Sequence, residues 1–280
     1  MKKWLFCLAF VLIVGTCQAQ DDPEINKLAW HRYVTSNFTI LSINDEQGLW
    51  MKNNLENIKV WCLTRWGLPD VKFSKECRIF CVPDGDMLSR LFNLSASKSE
   101  VRSKDGSIEI TAMWLALDDK PARVIPTHLS EVILAEFEQA NNFKFPYWAT
   151  RGISQLNGSM ADIKTSLGHL PESNLIDTET LLSARPDQYL KYSKERQRVF
   201  DSQSIAMCLL LRKEFGEVKL HAFLKSCHKS GHATAIQGVL GFKSVSDFDK
   251  TFNRYIKGLS KDLGERITPD SYLTIKAVND

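Results

Sequence analysis

Alternating apolar and polar positions dominate the first part of the chain. Residues 33–35 and 38–42 alternate on either side of a polar pair, which predicts two short strands joined by a turn. Between residues 45 and 66 the apolar side chains recur instead at helical spacing, up to a stop at Gly67 and Pro69. Further strands are expected at residues 77–82 and 108–113, with a short helix at 87–92 between them.

Beyond residue 121 the apolar positions follow helical spacing almost throughout. A first helix is expected to begin with Thr127 as its N-cap and to end at the polar pair 141–142. Gly216 is expected to close a later helix. Four more helices and one long loop are predicted, the helices at residues 147–160, 202–215, 218–229 and 248–256 and the loop at 167–187.

These elements together predict an α+β fold, with a strand-containing first half and a mostly helical second half. The length of 280 residues suits one large domain or two small ones. We expect a single domain over residues 20–280, made of a mixed part at 26–120, a helical part at 121–260 and a tail at 261–280.

The first residues have the composition of a signal peptide. Two lysines precede an apolar run over residues 4–14, and small or polar residues follow up to Ala19. A bilayer span needs about 20 apolar residues, so this run is too short to be an anchor. We expect residues 1–19 to be cleaved and the rest exported to the periplasm or the medium, without a stable membrane span. Thr16 is bulky and branched, which argues against lipoprotein processing at Cys17.

The charge of the chain argues against one class of partner. The formal net charge is +3, and it becomes +1 when the two lysines of the signal peptide are removed (3 − 2 = 1). Neither half contains a block rich in lysine and arginine. The chain therefore lacks the electrostatic footprint of a nucleic-acid-binding protein.

Five cysteines remain after the signal peptide, namely Cys62, Cys77, Cys81, Cys208 and Cys227. An odd number leaves at least one free thiol, and an oxidising compartment permits one or two disulfides. Cys77 and Cys81 are too far apart along a strand to pair with each other. Two interpretations stay open. Either Cys62 pairs with one of those two and Cys208 with Cys227, or the cysteines pack as small apolar side chains.

The segment around residue 128 has the spacing of a zinc-peptidase helix but few of its ligands. Such a site takes two histidines one helical turn apart, a glutamate between them as general base, and a carboxylate on the next helix. Here His128 is followed by Leu129 and, one turn on, by Val132; after eighteen further residues comes Arg151, in the segment Trp-Ala-Thr-Arg-Gly. This order resembles the peptidase MA-like (gluzincin-type) zinc metallopeptidase domains, whose motif is HExxH.

The resemblance implies that the zinc site has been dismantled. His128 corresponds to the first ligand, whereas Leu129 stands at the position of the general base, Val132 at that of the second ligand and Arg151 at that of the third. A single imidazole cannot hold zinc tightly. The permanent charge of Arg151 also opposes a divalent cation. We therefore expect no metal, no other cofactor and no catalytic residue at these positions.

Later segments extend the resemblance over most of residues 30–258. Residues 202–216 and 238–248 are similar to the helical tail of these domains, in which a helix ends at a Phe-Gly turn and a later Gly-Phe segment leads into a closing helix. Residues 38–40 and 82–84 are similar to the strand-rich part that precedes the zinc helix. The resemblance lies in the order and spacing of these pieces.

Several neighbours of the former zinc positions are candidates for a remaining role. Glu131 or Glu136 is expected to pair with Arg151 across two helices and so to fill the vacated site. His128 itself is more often a structural helix residue when its partners are lost. The candidate cleft-lining aromatic residues are Trp114, Tyr147 and Trp148, although core packing is their commoner role.

Another histidine pair, His228 and His232, has His-x3-His spacing beside Cys227. Gly231 is expected to end the helix between the two histidines, so they need not share a face.

Three functions are compatible with this interpretation of the sequence. The first is a catalytically inactive metallopeptidase-like protein that binds an unknown protein or peptide in the cell envelope. The second is an active zinc hydrolase with a non-standard ligand set around His128, which requires a stoichiometric metal. The third is a structural protein whose cleft has closed around a paired Arg151.

Overall fold

The computed structural model describes residues 28–118, 121–170 and 173–262. A five-stranded sheet with flanking helices occupies the first half, and the second half is mostly helical. The α+β prediction is confirmed at this level. The predicted signal peptide and nearly all of the predicted tail lie outside the described residues.

The strands, in chain order, are β1 (His31–Val34), β2 (Phe38–Ser42), β3 (Cys77–Val82), β4 (Lys98–Lys104) and β5 (Ser107–Ala116). Their order across the sheet is β1-β2-β3-β5-β4. The three central strands β2, β3 and β5 are parallel, whereas the edge strands β1 and β4 are antiparallel to their neighbours. All four predicted strands are present, and β4 is additional.

Two helices accompany the sheet, α1 (Asp45–Thr64) and α2 (Gly85–Phe92). The side chain of Asn44 accepts a hydrogen bond from the N–H of Gln47 at the start of α1. Asp84 caps α2 in the same way, through the N–H of Met87. Such caps satisfy N–H groups that have no partner within the helix, so the starts of both helices follow from local sequence.

The remaining helices are α3 (Pro121–Asn141), α4 (Tyr147–Leu156), α5 (Met160–Gly168), α6 (Thr178–Ser183), α7 (Pro186–Tyr189), α8 (Lys194–Ser230), α9 (His232–Ala235) and α10 (Val245–Asp262), with a π-helical turn at Ile236–Leu240. Within the described ranges, no helix has both the length and the apolar character needed to cross a bilayer.

Helix α3 corrects the predicted start at Thr127. The helix begins six residues earlier and contains Pro126 in its interior. Proline removes one N–H from the helical ladder. The carbonyl of Pro126 itself accepts a hydrogen bond from the hydroxyl of Ser130 at 2.6 Å. Ser130 in turn accepts a hydrogen bond from Asn157 at 2.8 Å, which ties α3 to the end of α4.

Three further segments differ from the prediction. The helix expected over 147–160 is divided, because Ser159 caps a new helix through the N–H of Asp162. The segment 167–187, expected to be a loop, contains α6, which begins after Asp177 as its N-cap. The helix expected from residue 202 begins earlier, at Lys194. Its predicted break at Gly216 is confirmed, because the φ of 76° and ψ of 168° at this residue are not helical and divide α8 into two parts.

The sheet separates two apolar clusters because successive side chains of a strand point to opposite faces. One face, which includes Ile79, Met113 and Leu115, packs against α1 and α3. The other face, which includes Phe80 and Trp114, packs with α2. A third cluster fills the space among the helices of the second half.

Helices α4 and α8 approach each other closely at Gly152. A Cβ atom at this position would lie 2.4 Å from the carbonyl oxygen of Ser204 and 2.6 Å from the sulfur of Cys208. Only glycine permits this distance. The contact sets Arg151, the preceding residue of α4, opposite the first turns of α8.

Candidate functional site

The α3 positions that the resemblance assigns to a zinc site face two different environments. Leu129 and Val132 are fully buried in the cluster between the sheet and α1. His128 is only half-buried, and it lies beside β4, where its Nδ1 is 3.4 Å from the hydroxyl oxygen of Ser99. Two of the three positions on α3 therefore contribute to the core.

Arg151 is the centre of a charged network between α3, α4 and α8. Its Nη1 donates to Glu131 Oε1 at 2.7 Å. Its Nε and Nη2 donate to the two carboxylate oxygens of Asp201, each at 2.9 Å. This fork-to-carboxylate arrangement is bidentate and fixes the guanidinium plane.

Tyrosine and serine hydroxyls complete the network. Tyr189 donates to Asp201 at 3.0 Å, and the guanidinium carbon of Arg151 lies 5.2 Å from the centre of the Tyr189 ring. Ser99, on the edge strand β4, donates to the second carboxylate oxygen of Glu131. The network thus joins the sheet to the helical half through side chains that are mostly removed from solvent.

The electrostatics of this cluster favour a charged Arg151. Burial opposes the charge of Arg151. The hydrogen bonds and the charge of Asp201, together with the charge of Glu131, outweigh this effect and raise the pKa of Arg151 above its ordinary value. Burial lowers the pKa of His128; Glu131 opposes this shift, and Arg151 adds to it. Burial also raises the pKa of Tyr147 to about 12. Arg151 remains a cation and Tyr147 a neutral phenol at physiological pH.

The residues at the positions that the resemblance assigns to zinc ligands do not fit a zinc ion. Val132 has no donor atom and Arg151 has no lone pair to offer, which leaves His128 alone. The two nearest carboxylates, Glu131 and Asp201, already hold the guanidinium. Within residues 28–118, 121–170 and 173–262, no group of three His, Cys, Asp or Glu side chains is placed to hold a metal.

Of the two carboxylates considered as partners of Arg151, the structure places Glu131 in contact with it and Glu136 elsewhere. Glu136 is 1% exposed, and its Oε2 accepts a hydrogen bond from the backbone N–H of Ser74 at 2.8 Å. Glu136 is not the partner because the five-residue step from Glu131 along α3 places its side chain on another side of the helix, where it contacts Ser74.

Two of the three aromatic residues expected to line the cleft do not lie there. Trp114 is on the far face of the sheet, stacked on Phe80 with ring centres 5.9 Å apart. Trp148 is fully buried in the helical core beside Phe223. Tyr147 is half-buried and does line a cleft, with its ring 5.4 Å from that of Tyr189.

This cleft has a volume of about 540 Å³ and lies next to the Arg151 network. Glu131 belongs to both, because it pairs with Arg151 and also lines the cleft. The walls come from α3, α4, the link between α6 and α7, and the end of α8. Its lining side chains include Glu131, Glu138, Phe145, Tyr147, Leu182 and His232.

The histidine pair at the end of α8 also lines this cleft. Gly231, with φ of 81°, ends α8 between His228 and His232, as the sequence predicts. Both side chains nevertheless reach the same cleft. The ring of His228 lies 5.2 Å from that of Phe143, so part of its surface is used in packing.

The five cysteines outside the predicted signal peptide are separate thiols in the structure. Cys62, Cys77, Cys81 and Cys208 are buried, and Cys227 is half-buried at the cleft. Burial raises the pKa of Cys62, Cys77 and Cys227 to about 12 in each case. The structure thus follows the interpretation in which these residues pack as small side chains.

Sequence reasoning missed three members of the network, Ser99, Tyr189 and Asp201. Ser99 lies on the unpredicted strand β4, and Tyr189 lies at the end of α7, next to the predicted loop. Asp201 stands one residue before the predicted start of a helix. A buried arginine requires a carboxylate partner, but its place in the sequence follows only from the packing of α4 on α8.

A scan against protein-family models found no match to this chain, and a search of curated proteins found no similar sequence.

Proposed function

We propose that this protein is an exported, catalytically inactive relative of the peptidase MA-like metallopeptidases, which binds a protein or peptide partner in the cell envelope. The observation that supports the loss of catalysis is the ion-pair network of Arg151 with Glu131 and Asp201. In the family pattern, Arg151 stands where the third zinc ligand would be. Here an internal cation takes the place of the metal ion.

The environment of the general-base position supports the same proposal. A general base must lie within hydrogen-bond reach of the water that it activates. Leu129 has no titratable group and is completely buried in the core. His128, the remaining polar member, has its pKa lowered chiefly by burial and contacts Ser99. Leu129 therefore cannot act as a general base at the position where the family pattern requires one.

The open cleft favours a binding role over a purely structural one. A structural protein with a closed site would fill the space next to Arg151 with side chains. The cleft of about 540 Å³ instead remains beside the network, with polar and aromatic groups on its walls. Its size is in the range that accommodates small ligands or a short stretch of peptide.

The metal content of the exported protein tests this proposal. The chain should be purified from the periplasm without chelators and without a histidine tag, and zinc and other metals should be measured per mole of protein. We expect a value near zero. A value near one that disappears in the His128→Ala variant would instead support the alternative, an active hydrolase with a non-standard ligand set.

A further inference from the structure

Glu138 has a carboxylate oxygen without a partner at the wall of the cleft. Glu138 lies two helical turns beyond Glu131 on the same face of α3. Its Oε1 accepts a hydrogen bond from the backbone N–H of Phe145 at 2.7 Å. In the described part of the chain, no cationic side chain forms an ion pair with Glu138, and its Oε2 accepts no hydrogen bond. Glu138 lines the cleft, and its Oε2 is not sealed from solvent.

The surroundings of Glu138 are rich in apolar surface. Phe145 is buried, and Tyr147 and Leu182 line the same space. Burial raises the pKa of Glu138 to about 7, although the N–H of Phe145 and the charge of Lys144 oppose this shift. A group that is costly to ionise gains from a cation brought into contact with it.

Other charged groups face the cleft, but they are placed differently. Lys144 and Arg185 stand exposed at the rim, and Arg185 is engaged by Asp187 at 3.3 Å. Solvent and salt screen such rim charges strongly, whereas the half-buried Glu138 is screened less.

The other titratable side chains on the cleft walls do not compete for the role of Glu138. Glu131 is held by Arg151. Tyr147, Cys227, His228 and His232 complete the set from α4, α8 and α9. Glu138 is thus the acidic group in the cleft that remains available for a ligand.

We propose that the cleft binds a peptide segment of the partner that carries a basic side chain, and that Glu138 pairs with this side chain. Phe145 and Tyr147 contact an apolar neighbour in the same segment. This inference rests on the proposed binding function and adds the chemistry of the partner. It concerns a carboxylate outside the former zinc positions.

Two blocked dipeptides that differ only in charge test this inference. Acetyl-Phe-Arg amide carries a guanidinium, and acetyl-Phe-citrulline amide replaces it with a neutral urea of the same shape. Titrations at pH 8 followed by NMR give both dissociation constants. We expect the arginine peptide to bind about tenfold more tightly, since an ion pair in a partly dry site adds a charge-assisted hydrogen bond.

Variants locate the source of that preference. Glu138→Gln keeps a side-chain oxygen that can accept the hydrogen bond from the N–H of Phe145, but it removes the negative charge. The two peptides should therefore bind to this variant with equal affinity. Glu214→Gln changes an exposed glutamate on α8 and should keep the tenfold preference.

Three results would overturn the inference: equal binding of both peptides to the wild type, binding of neither peptide, or a preference that survives in Glu138→Gln. None of these would alter the metal content. Failure of this inference is therefore distinguishable from failure of the proposed function, which would appear as stoichiometric zinc.

Discussion

Replacement of Arg151 by methionine measures what the charged network contributes to stability. The substitution keeps most of the length of the side chain and removes the guanidinium that Glu131 and Asp201 share. Two carboxylates then face each other without a cation. Removing one member of a buried ion pair costs about 3–5 kcal/mol.

The exposure of the three side chains reduces this magnitude. The side chains of Arg151, Glu131 and Asp201 are 18%, 25% and 20% exposed, so water can hydrate part of the stranded charge. We expect a loss of about 2–3 kcal/mol in the free energy of unfolding. In a domain of this size the melting temperature should fall by about 4–12 °C.

Urea denaturation of wild type and variants provides the assay. Arg185→Met is the matched control, because its ion pair with Asp187 is largely exposed, and it should change stability by less than about 0.5 kcal/mol. Arg151→Lys keeps the charge and loses the bidentate fork, so it should lie between wild type and Arg151→Met. An Arg151→Met variant that is no less stable than Arg185→Met would show that the network does not stabilise the fold.

Two further perturbations test the cleft and the contact between helices. Burial raises the pKa of Glu138 from 4.5 to about 7, so the folded state holds the carboxyl proton more tightly than the unfolded state does. The stability that this protonation contributes is complete below pH 4.5 and is lost as the pH rises through 7. Between pH 5 and pH 8 the free energy of unfolding of the wild type should therefore fall by about 1–2 kcal/mol more than that of Glu138→Gln. Identical pH profiles of the two proteins in urea denaturation would contradict the raised pKa of Glu138. Gly152→Ala places a methyl group 2.4 Å from the Ser204 carbonyl oxygen and should cost about 1–3 kcal/mol, whereas Gly238→Ala, with no atom within 4 Å of the added carbon, should unfold close to the wild-type midpoint.

The sequence predicts elements well where the signal is local. The strand over residues 77–82 and the helix from Asp45 follow from side-chain periodicity and from caps, and both agree with the structure. Strand β4 has one large apolar residue, Val101, in seven, because it is an edge strand with most of its side chains turned to solvent. Its formation depends on pairing with β5, which periodicity cannot reveal.

The contacts of the site were harder to predict because they depend on orientation between elements. Trp114 lies close in sequence to α3, yet its neighbours Met113 and Leu115 take the face toward that helix and leave Trp114 on the other. Asp201 reaches Arg151 across fifty positions of sequence, through the close approach at Gly152. Glu131 and Glu136 both lie on α3, and only their positions around the helix decide which of them reaches Arg151.

An arginine at the centre of a charged cluster differs from a bound metal ion in one thermodynamic respect. A ligand stabilises a fold in proportion to the logarithm of its free concentration, so a metalloprotein weakens when the metal in its surroundings becomes scarce. Arg151 is covalently part of the chain and cannot dissociate from Glu131 and Asp201 unless the local structure opens. Its contribution to stability is therefore the same in metal-poor and metal-rich media, because a chelator cannot remove a side chain.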